Sequence, residues 1–207
     1  MKRTVLLLLT CLLLALRTVA QAPEKAAPDD LVVTAEIVGY SKWTYAGKTY
    51  NRLHAKMVVR NTTNHPREIN MMSCDWPESW VASGTKALFE PTYQLSCDKN
   101  IPITVTIPAG EAAVFKCPLY GVNAYTEKPE SPNSQISIKL GFIDLTLQAV
   151  WDGFYGIPQK ERIRAKIQKA RAVYWSNMIT NKINMNTIEE ITGDNRYLSY
   201  SLAWNGK

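Results

Sequence analysis

Apolar and polar residues alternate with a period of two along most of this chain. Such alternation is typical of β-strands that bury one face and expose the other. It is clearest in four segments, RLHAKMVVRN, IPITVTI, ISIKLGF and RYLSYSLAW. Three further apolar segments bring the predicted strands to at least seven, and they are LVVTAEIVG, EAAVFKCPL and LTLQAVW. In the first segment, the residues that share the inward face are Leu53, Ala55, Met57 and Val59.

Turn-forming residues separate these segments and set the expected topology. The separators are NTTNHP, PAGE and EKPESPNS, which are rich in Asn, Pro, Gly or Ser. Short strands at this spacing predict an all-β fold with antiparallel pairing into two packed sheets. One helix is expected from about Gln159 to Lys169, because Ile163 and Ile167 align at helical spacing there. It leads into a strand that passes through Trp175.

Two groups of motifs resemble known proteins. The segment VVRNTTNHP, followed later by IPAGEAAVFKCPL, resembles the immunoglobulin-like domains of secreted bacterial proteins. The segments CDWPESW, CDKNIPITVTIPAGE and VYWSN more narrowly resemble small secreted bacterial proteins of unknown function. The resemblance covers about residues 31–180 and implies an immunoglobulin-like antiparallel β-sandwich with a short basic helical insertion. It brings no catalytic residues, and the tail from Asn181 lies outside it.

The N-terminus has the pattern of an export signal. Lys2 and Arg3 precede the apolar run VLLLLTCLLLAL, and small residues follow up to Ala20. We expect a signal peptide at residues 1–20, a flexible leader at 21–30 and one β-sandwich domain at 31–207. The apolar run is shorter than the ~20 residues of a membrane-spanning helix, so the exported chain is expected in the periplasm or outside the cell. Lipidation at Cys11 is the less favoured alternative.

Positive charge is concentrated in one segment of the chain. The net charge is +6, and removal of three basic residues with the signal peptide lowers it to +3. A candidate basic patch for anionic lipid or polysaccharide comprises Arg162, Arg164, Lys166 and Lys169. The alternative, which we favour, is a solvated helix face with Ile163 and Ile167 packed on the sheets. The modest charge of the exported chain argues against nucleic acid as a partner.

Three cysteines follow the predicted signal peptide, and an exported protein meets oxidising conditions that favour a disulfide. Of the three possible pairs we choose Cys74–Cys97, because both residues stand in Ser-Cys-Asp triplets at apparent strand ends. Closing the loop from Cys74 to Cys97 would stabilise the folded chain by roughly 3 kcal/mol by the chain-entropy estimate. Cys117 alternates with Phe115 in a predicted strand, which suits a buried core position.

Motifs for chemistry are sparse. Metal sites usually include a close pair of cysteines or histidines, and neither pair occurs. The two histidines are expected at the surface, His54 on the outward face of a strand and His65 in a turn. The sequence has no nucleophile elbow, phosphate loop or dinucleotide fingerprint. We therefore predict no catalytic residues, no metal and no cofactor, and favour a protein without enzymatic activity.

Aromatic residues carry the strongest functional hint. Trp43 and Tyr45 lie in a predicted hairpin around Gly47, and Trp151 and Tyr155 lie in VWDGFYG. Exposed aromatics can stack on sugars or anchor a protein partner, although core packing explains such residues more often. The leading hypothesis is an exported interaction module of the cell envelope that binds another envelope protein or a glycan. The alternatives are a carbohydrate-binding module, an inhibitor of an extracellular enzyme, and a hydrolase with an unrecognised site.

Overall fold

A computed structural model describes residues 28–45, 47–83, 87–89, 99–121, 125–126, 135–182, 189–190 and 199–203. The predicted signal peptide, most of the predicted leader and Cys97 lie outside these residues. The backbones of Trp43 and Tyr45 belong to a strand, but the side chains of both lie outside the described part.

Strands dominate the described part of the chain. They are β1 (Leu31–Tyr45), β2 (Lys48–Asn61), β3 (Arg67–Met72), β4 (Trp80–Ser83), β5 (Ala87–Phe89), β6 (Pro102–Ile107), β7 (Ala112–Gly121), β8 (Tyr125–Thr126), β9 (Gln135–Asp144), β10 (Ala172–Trp175), β11 (Ile179–Lys182), β12 (Glu189–Glu190) and β13 (Ser199–Ala203). The helices are a 3-10 helix (Trp76–Ser79), α1 (Leu147–Tyr155) and α2 (Gln159–Lys169). Among these strands only the β1–β12 pair is parallel, which confirms a mostly antiparallel all-β architecture.

The larger sheet has the strand order β12-β1-β2-β7-β13, with β5 and β8 added at its margins. The long hairpin of β1 and β2 turns at Gly47, whose φ of 76° is a conformation that glycine adopts without strain. Strand β7 pairs with β2 on one side and with β13 on the other. The tail of the chain therefore contributes strands to this sheet.

The remaining strands of the described ranges form two smaller sheets: β9 pairs with β4, β10 and β11 in one, and β3 pairs with β6 in the other. Side chains of all three sheets meet in one hydrophobic core. The Trp80 ring links two of these sheets, because it lies 5.3 Å from the Phe115 ring of the large sheet and 5.4 Å from the Phe142 ring of β9. Burial of one such side chain contributes about 1.5–3 kcal/mol, so this aromatic cluster is a main source of stability.

The alternation in β2 is confirmed on its inward face, where Leu53, Ala55, Met57 and Val59 are buried. The expected surface position of His54 is wrong, since the residue is only 8% exposed. It lies on a central strand between Gly39 and Pro118, and its Nε2 is 2.8 Å from Ser41 Oγ.

The predicted strand in LTLQAVW is wrong, because the segment forms helix α1 after β9 ends. Thr146 caps the helix: its Oγ1 accepts a hydrogen bond from the backbone N–H of Ala149 at 3.2 Å. Gln148 Nε2 then donates to Asp152 Oδ1, one turn further on, at 2.8 Å. Caps and i, i+4 pairs of this kind stabilise helices by about 0.3–1 kcal/mol each, enough to decide a short ambiguous segment.

Helix α2 and strand β10 lie where the sequence predicts them. The two helices pack on a small second core of Met72, Ile143, Leu145 and Val150. Partly buried apolar side chains of both helices complete it, among them Phe154 and Ile167. None of the helices in the described ranges is long and apolar enough to cross a membrane.

The domain begins earlier than the sequence suggests. The backbone N–H of Thr62 donates to the carbonyl oxygen of Asp30 at 3.1 Å. The Thr62 hydroxyl donates to the carbonyl oxygen of Asp29 at 2.6 Å. Both aspartates were assigned to the flexible leader, and both are instead bonded to the corner between β2 and β3.

Candidate ligand-binding surface

Two of the four predicted ligand-binding aromatics occur together on helix α1. Trp151 is 45% exposed and Tyr155 is 53% exposed, although most large aromatic side chains in the described core are fully buried. Their ring centroids are 4.4 Å apart, with an angle of 41° between the planes. The other two predicted residues, Trp43 and Tyr45, belong to β1, and their side chains lie outside the described part of the chain.

The helix itself sets this arrangement. Residues four apart lie one above the other on the same helix face. Leu147, Trp151 and Tyr155 follow that spacing, and Leu147 is also 45% exposed. The opposite face carries the buried residues Val150 and Gly153. We call the exposed set of Leu147, Trp151 and Tyr155 the aromatic platform.

The platform is held in place from beneath. The Tyr155 hydroxyl donates a hydrogen bond of 2.7 Å to the carbonyl oxygen of Asn100, which anchors the far end of the side chain. The Phe154 ring, packed on the small core, contacts the Tyr155 ring edge to face at 4.8 Å. Ile101, the next residue after Asn100, is itself exposed. The anchored tyrosine therefore supports the tryptophan and leaves ring surface facing solvent.

Polar side chains border the platform. Gln148 and Asp152, joined by their 2.8 Å hydrogen bond, lie on the same side of the helix as Trp151. Lys169 of α2 approaches the other carboxylate oxygen of Asp152 to 3.9 Å, an exposed and weak ion pair. The border thus combines an amide, a carboxylate and an ammonium group beside the exposed rings.

The predicted basic patch does not form as a single surface. Lys166 is only 2% exposed, and its Nζ lies 2.7 Å from Glu78 Oε2. Arg162 bonds the other oxygen of Glu78 at 3.1 Å and lies over the Phe154 ring, 4.4 Å from its centroid. Burial lowers the pKa of Lys166, while the nearby Glu78 carboxylate opposes that shift. Of the four basic residues, Lys166 is therefore buried and Arg162 partly buried, while Arg164 and Lys169 are exposed.

A second ionic network, which the sequence did not predict, joins the start of β1 to β3, β9 and β10. Asp144 is 1% exposed and accepts hydrogen bonds from Arg67 at 2.9 Å and Arg171 at 2.5 Å. Asp30 accepts from Arg67 at 2.7 Å and from the Tyr174 hydroxyl at 2.5 Å.

Burial raises the pKa of Asp30, but these hydrogen bonds outweigh it and leave the pKa below the ordinary 3.8. Burial and the bond to Asp30 raise the pKa of Tyr174. This series of paired charges and hydrogen bonds favours a structural role for the network.

The other residues singled out in the sequence are dispersed. His65 is exposed in the turn after β2, as predicted. Cys117 is buried in the core, also as predicted. Cys74 is partly buried, and its Sγ is 3.5 Å from the carbonyl oxygen of Lys99. Its pairing with Cys97 stays a prediction.

Within the described ranges, no three histidines, cysteines or carboxylates are close enough together to hold a metal ion.

The chain matches no protein-family model, and neither a curated protein nor a solved structure is significantly similar to it. Inference about function therefore depends on the residues and contacts described above. Sequence patterns identified Trp151 and Tyr155, whereas Leu147 was missed because its segment was assigned to a strand. The i, i+4, i+8 spacing of the three residues was the available signal.

Proposed function

We propose that this protein is an exported, non-enzymatic binding module of the bacterial cell envelope. In this proposal the chain forms an immunoglobulin-like β-sandwich, and the aromatic platform on α1 is its binding surface. Export rests on the N-terminal pattern of basic residues, apolar run and small residues. The sandwich is supported by mostly antiparallel sheets that share one core.

The exposure of the platform is the observation that carries the proposal. Core aromatics such as Trp76, Trp80 and Phe115 show that this chain can bury large rings completely. Two adjacent aromatic rings exposed by about half therefore call for a reason other than folding. Trp and Tyr are enriched at binding surfaces, where their large rigid side chains lose little entropy when they are covered.

Preorganisation supports the same proposal. The bond from Tyr155 to the backbone of Asn100 and the contact with Phe154 hold the ring before any ligand arrives. A surface held in its bound conformation avoids the cost of ordering side chains on association, about 0.5–1.5 kcal/mol for each.

A hydrolase would need carboxylates that converge on a substrate. Asp30 and Asp144 do converge, but on the guanidinium of Arg67. Further donors, from Tyr174 and Arg171, engage the same two carboxylates. Because the pair is neutralised by bonded side chains, it favours a structural role over catalysis.

The proposal is tested by comparing variants in affinity capture from solubilised envelope material of the native host. The native protein is compared with a variant carrying Trp151→Ala and Tyr155→Ala. A matched control, Met178→Ala, removes another apolar side chain of similar exposure. Denaturation midpoints verify that each protein is folded. We expect the platform variant to lose components that the native protein and the control retain. Equal retention by all three would contradict the proposal.

A further inference from the structure

The platform is small for a protein interface and well sized for a sugar. A stable protein–protein contact buries about 800 Å² on each partner. The two aromatic side chains of the platform, exposed by about half, offer on the order of 200 Å², and with Leu147 the total stays well below about 800 Å². That area matches the apolar face of one or two pyranose rings, which stack on tryptophan and tyrosine through their axial C–H groups.

The border of the platform matches the remaining chemistry of a sugar. Hydroxyl groups both donate and accept hydrogen bonds, so a sugar site needs both kinds of partner beside its aromatic surface. Gln148 and Asp152 supply an amide and a carboxylate that are already aligned by their mutual 2.8 Å bond. They stand one and five positions after Leu147, on the flank of the helix next to Trp151.

Charge at the same border separates a neutral glycan from an anionic lipid. Lys169 lies 3.9 Å from Asp152, so its ammonium is offset by a carboxylate. Insertion of the platform into a membrane interface would bring this carboxylate toward anionic headgroups, which repel it. Arg162 and Lys166 are both paired with Glu78, so neither charge is available to pair with a lipid headgroup.

We propose that the aromatic platform, with Gln148 and Asp152 beside it, is a subsite for a neutral β-linked pyranose chain. Trp151 stacks on one face of a sugar ring, and Tyr155 supports the stack. The amide and carboxylate bind equatorial hydroxyls at the edge of that ring. This inference rests on the proposed function, because it assigns a ligand class to the same surface.

The test uses cellohexaose and chitohexaose as soluble probes in calorimetric titrations of the exported chain. We expect at least one of them to bind. Trp151→Ala should weaken it at least tenfold, and Trp151→Phe, which keeps a ring, should weaken it only a few-fold. Gln148→Ala combined with Asp152→Ala should weaken binding by about tenfold or more, the usual effect of two lost hydrogen bonds. Met178→Ala should change nothing.

The outcomes distinguish the glycan from the other possible ligands. Failure of both sugars, or sugar binding that survives Trp151→Ala, overturns the glycan assignment. If capture from envelope material still depends on Trp151 and Tyr155 in that case, the proposed function stands with a protein as partner. Platform-dependent binding to phosphatidylglycerol vesicles without sugar binding would assign the surface to lipid. Loss of both sugar binding and platform-dependent capture removes both proposals.

Discussion

Replacement of Glu78 by glutamine should destabilise the protein strongly, although it changes only one polar group. Glu78 is the counterion of Lys166, whose Nζ is 2.7 Å away and whose side chain is only 2% exposed. Removing one partner of a buried ion pair leaves an uncompensated charge and costs about 3–5 kcal/mol. Because an amide oxygen can still accept a hydrogen bond from the ammonium, we take the lower end, about 3 kcal/mol. For a chain of this size, that loss corresponds to a decrease of about 6–12 °C in the midpoint of thermal unfolding.

The pH dependence of this loss gives a second check. Burial already lowers the pKa of Lys166, and the attraction of Glu78 opposes the shift. Without Glu78 the pKa should fall further. A lysine with a lowered pKa in the folded state binds fewer protons than it does in the unfolded chain. Stability therefore rises with pH through the window between the folded value and 10.5. The deficit of Glu78→Gln should accordingly shrink as pH approaches 10.5.

Urea denaturation followed by tryptophan fluorescence measures both effects. The matched control is the double variant Glu78→Gln with Lys166→Met, which removes the buried charge together with its partner. We expect the double variant to be within about 1 kcal/mol of the native protein, because buried ion pairs are often replaced by apolar groups at little cost. Two results would refute the account of a buried, mutually dependent pair. One is a loss of stability below about 1 kcal/mol in the single variant; the other is a double variant at least as destabilised as the single variant.

Three further predictions concern other parts of the fold. The hydrogen-bonded carboxylate of Asp30 has a pKa below 3.8, so it stabilises the fold above that pH and stops doing so in more acidic solution. Denaturation curves should therefore show that the stability difference between the native protein and Asp30→Asn shrinks as the pH falls from about 5 to about 2. Gly141→Ala should lower the free energy of unfolding by about 1–3 kcal/mol, because the added methyl would lie 2.9 Å from the Trp175 ring. The shift of the urea denaturation midpoint measures this loss. Alkylation of the unfolded exported chain before and after reduction should show that Cys74 and Cys97 react only after reduction.

The strand faces were predictable because alternation is a local property. Leu53 and Val59 could be assigned to the core from the sequence, since strand geometry alone places them on one side. Burial of His54 was not predictable, because its neighbours Gly39 and Pro118 come from other strands. Helix α1 was missed because a short apolar run fits both the period of a strand and the period of a helix. The cap at Thr146 favours the helix.

The error in the basic patch has a different physical origin. Spacing along α2 does not distinguish a lysine that faces solvent from one that faces the domain. The choice for Lys166 depends on Glu78, which is 88 residues earlier in the chain and supplies the buried counterion. A contact at that separation leaves no local signature. Trp151 was identified from composition, but its exposure became known only once the helix was placed.

Oxidative footprinting of the platform tests the central claim most directly. Hydroxyl-radical labelling of the folded protein, with and without solubilised envelope material, reports the solvent exposure of Trp151 and Tyr155 by mass spectrometry of their peptide. Met178, which is exposed elsewhere in the chain, serves as an internal reference. The account predicts protection of Trp151 and Tyr155 while labelling of Met178 stays constant. Unchanged labelling of the two aromatics, under conditions in which envelope components are retained, would place the binding surface elsewhere and contradict the account.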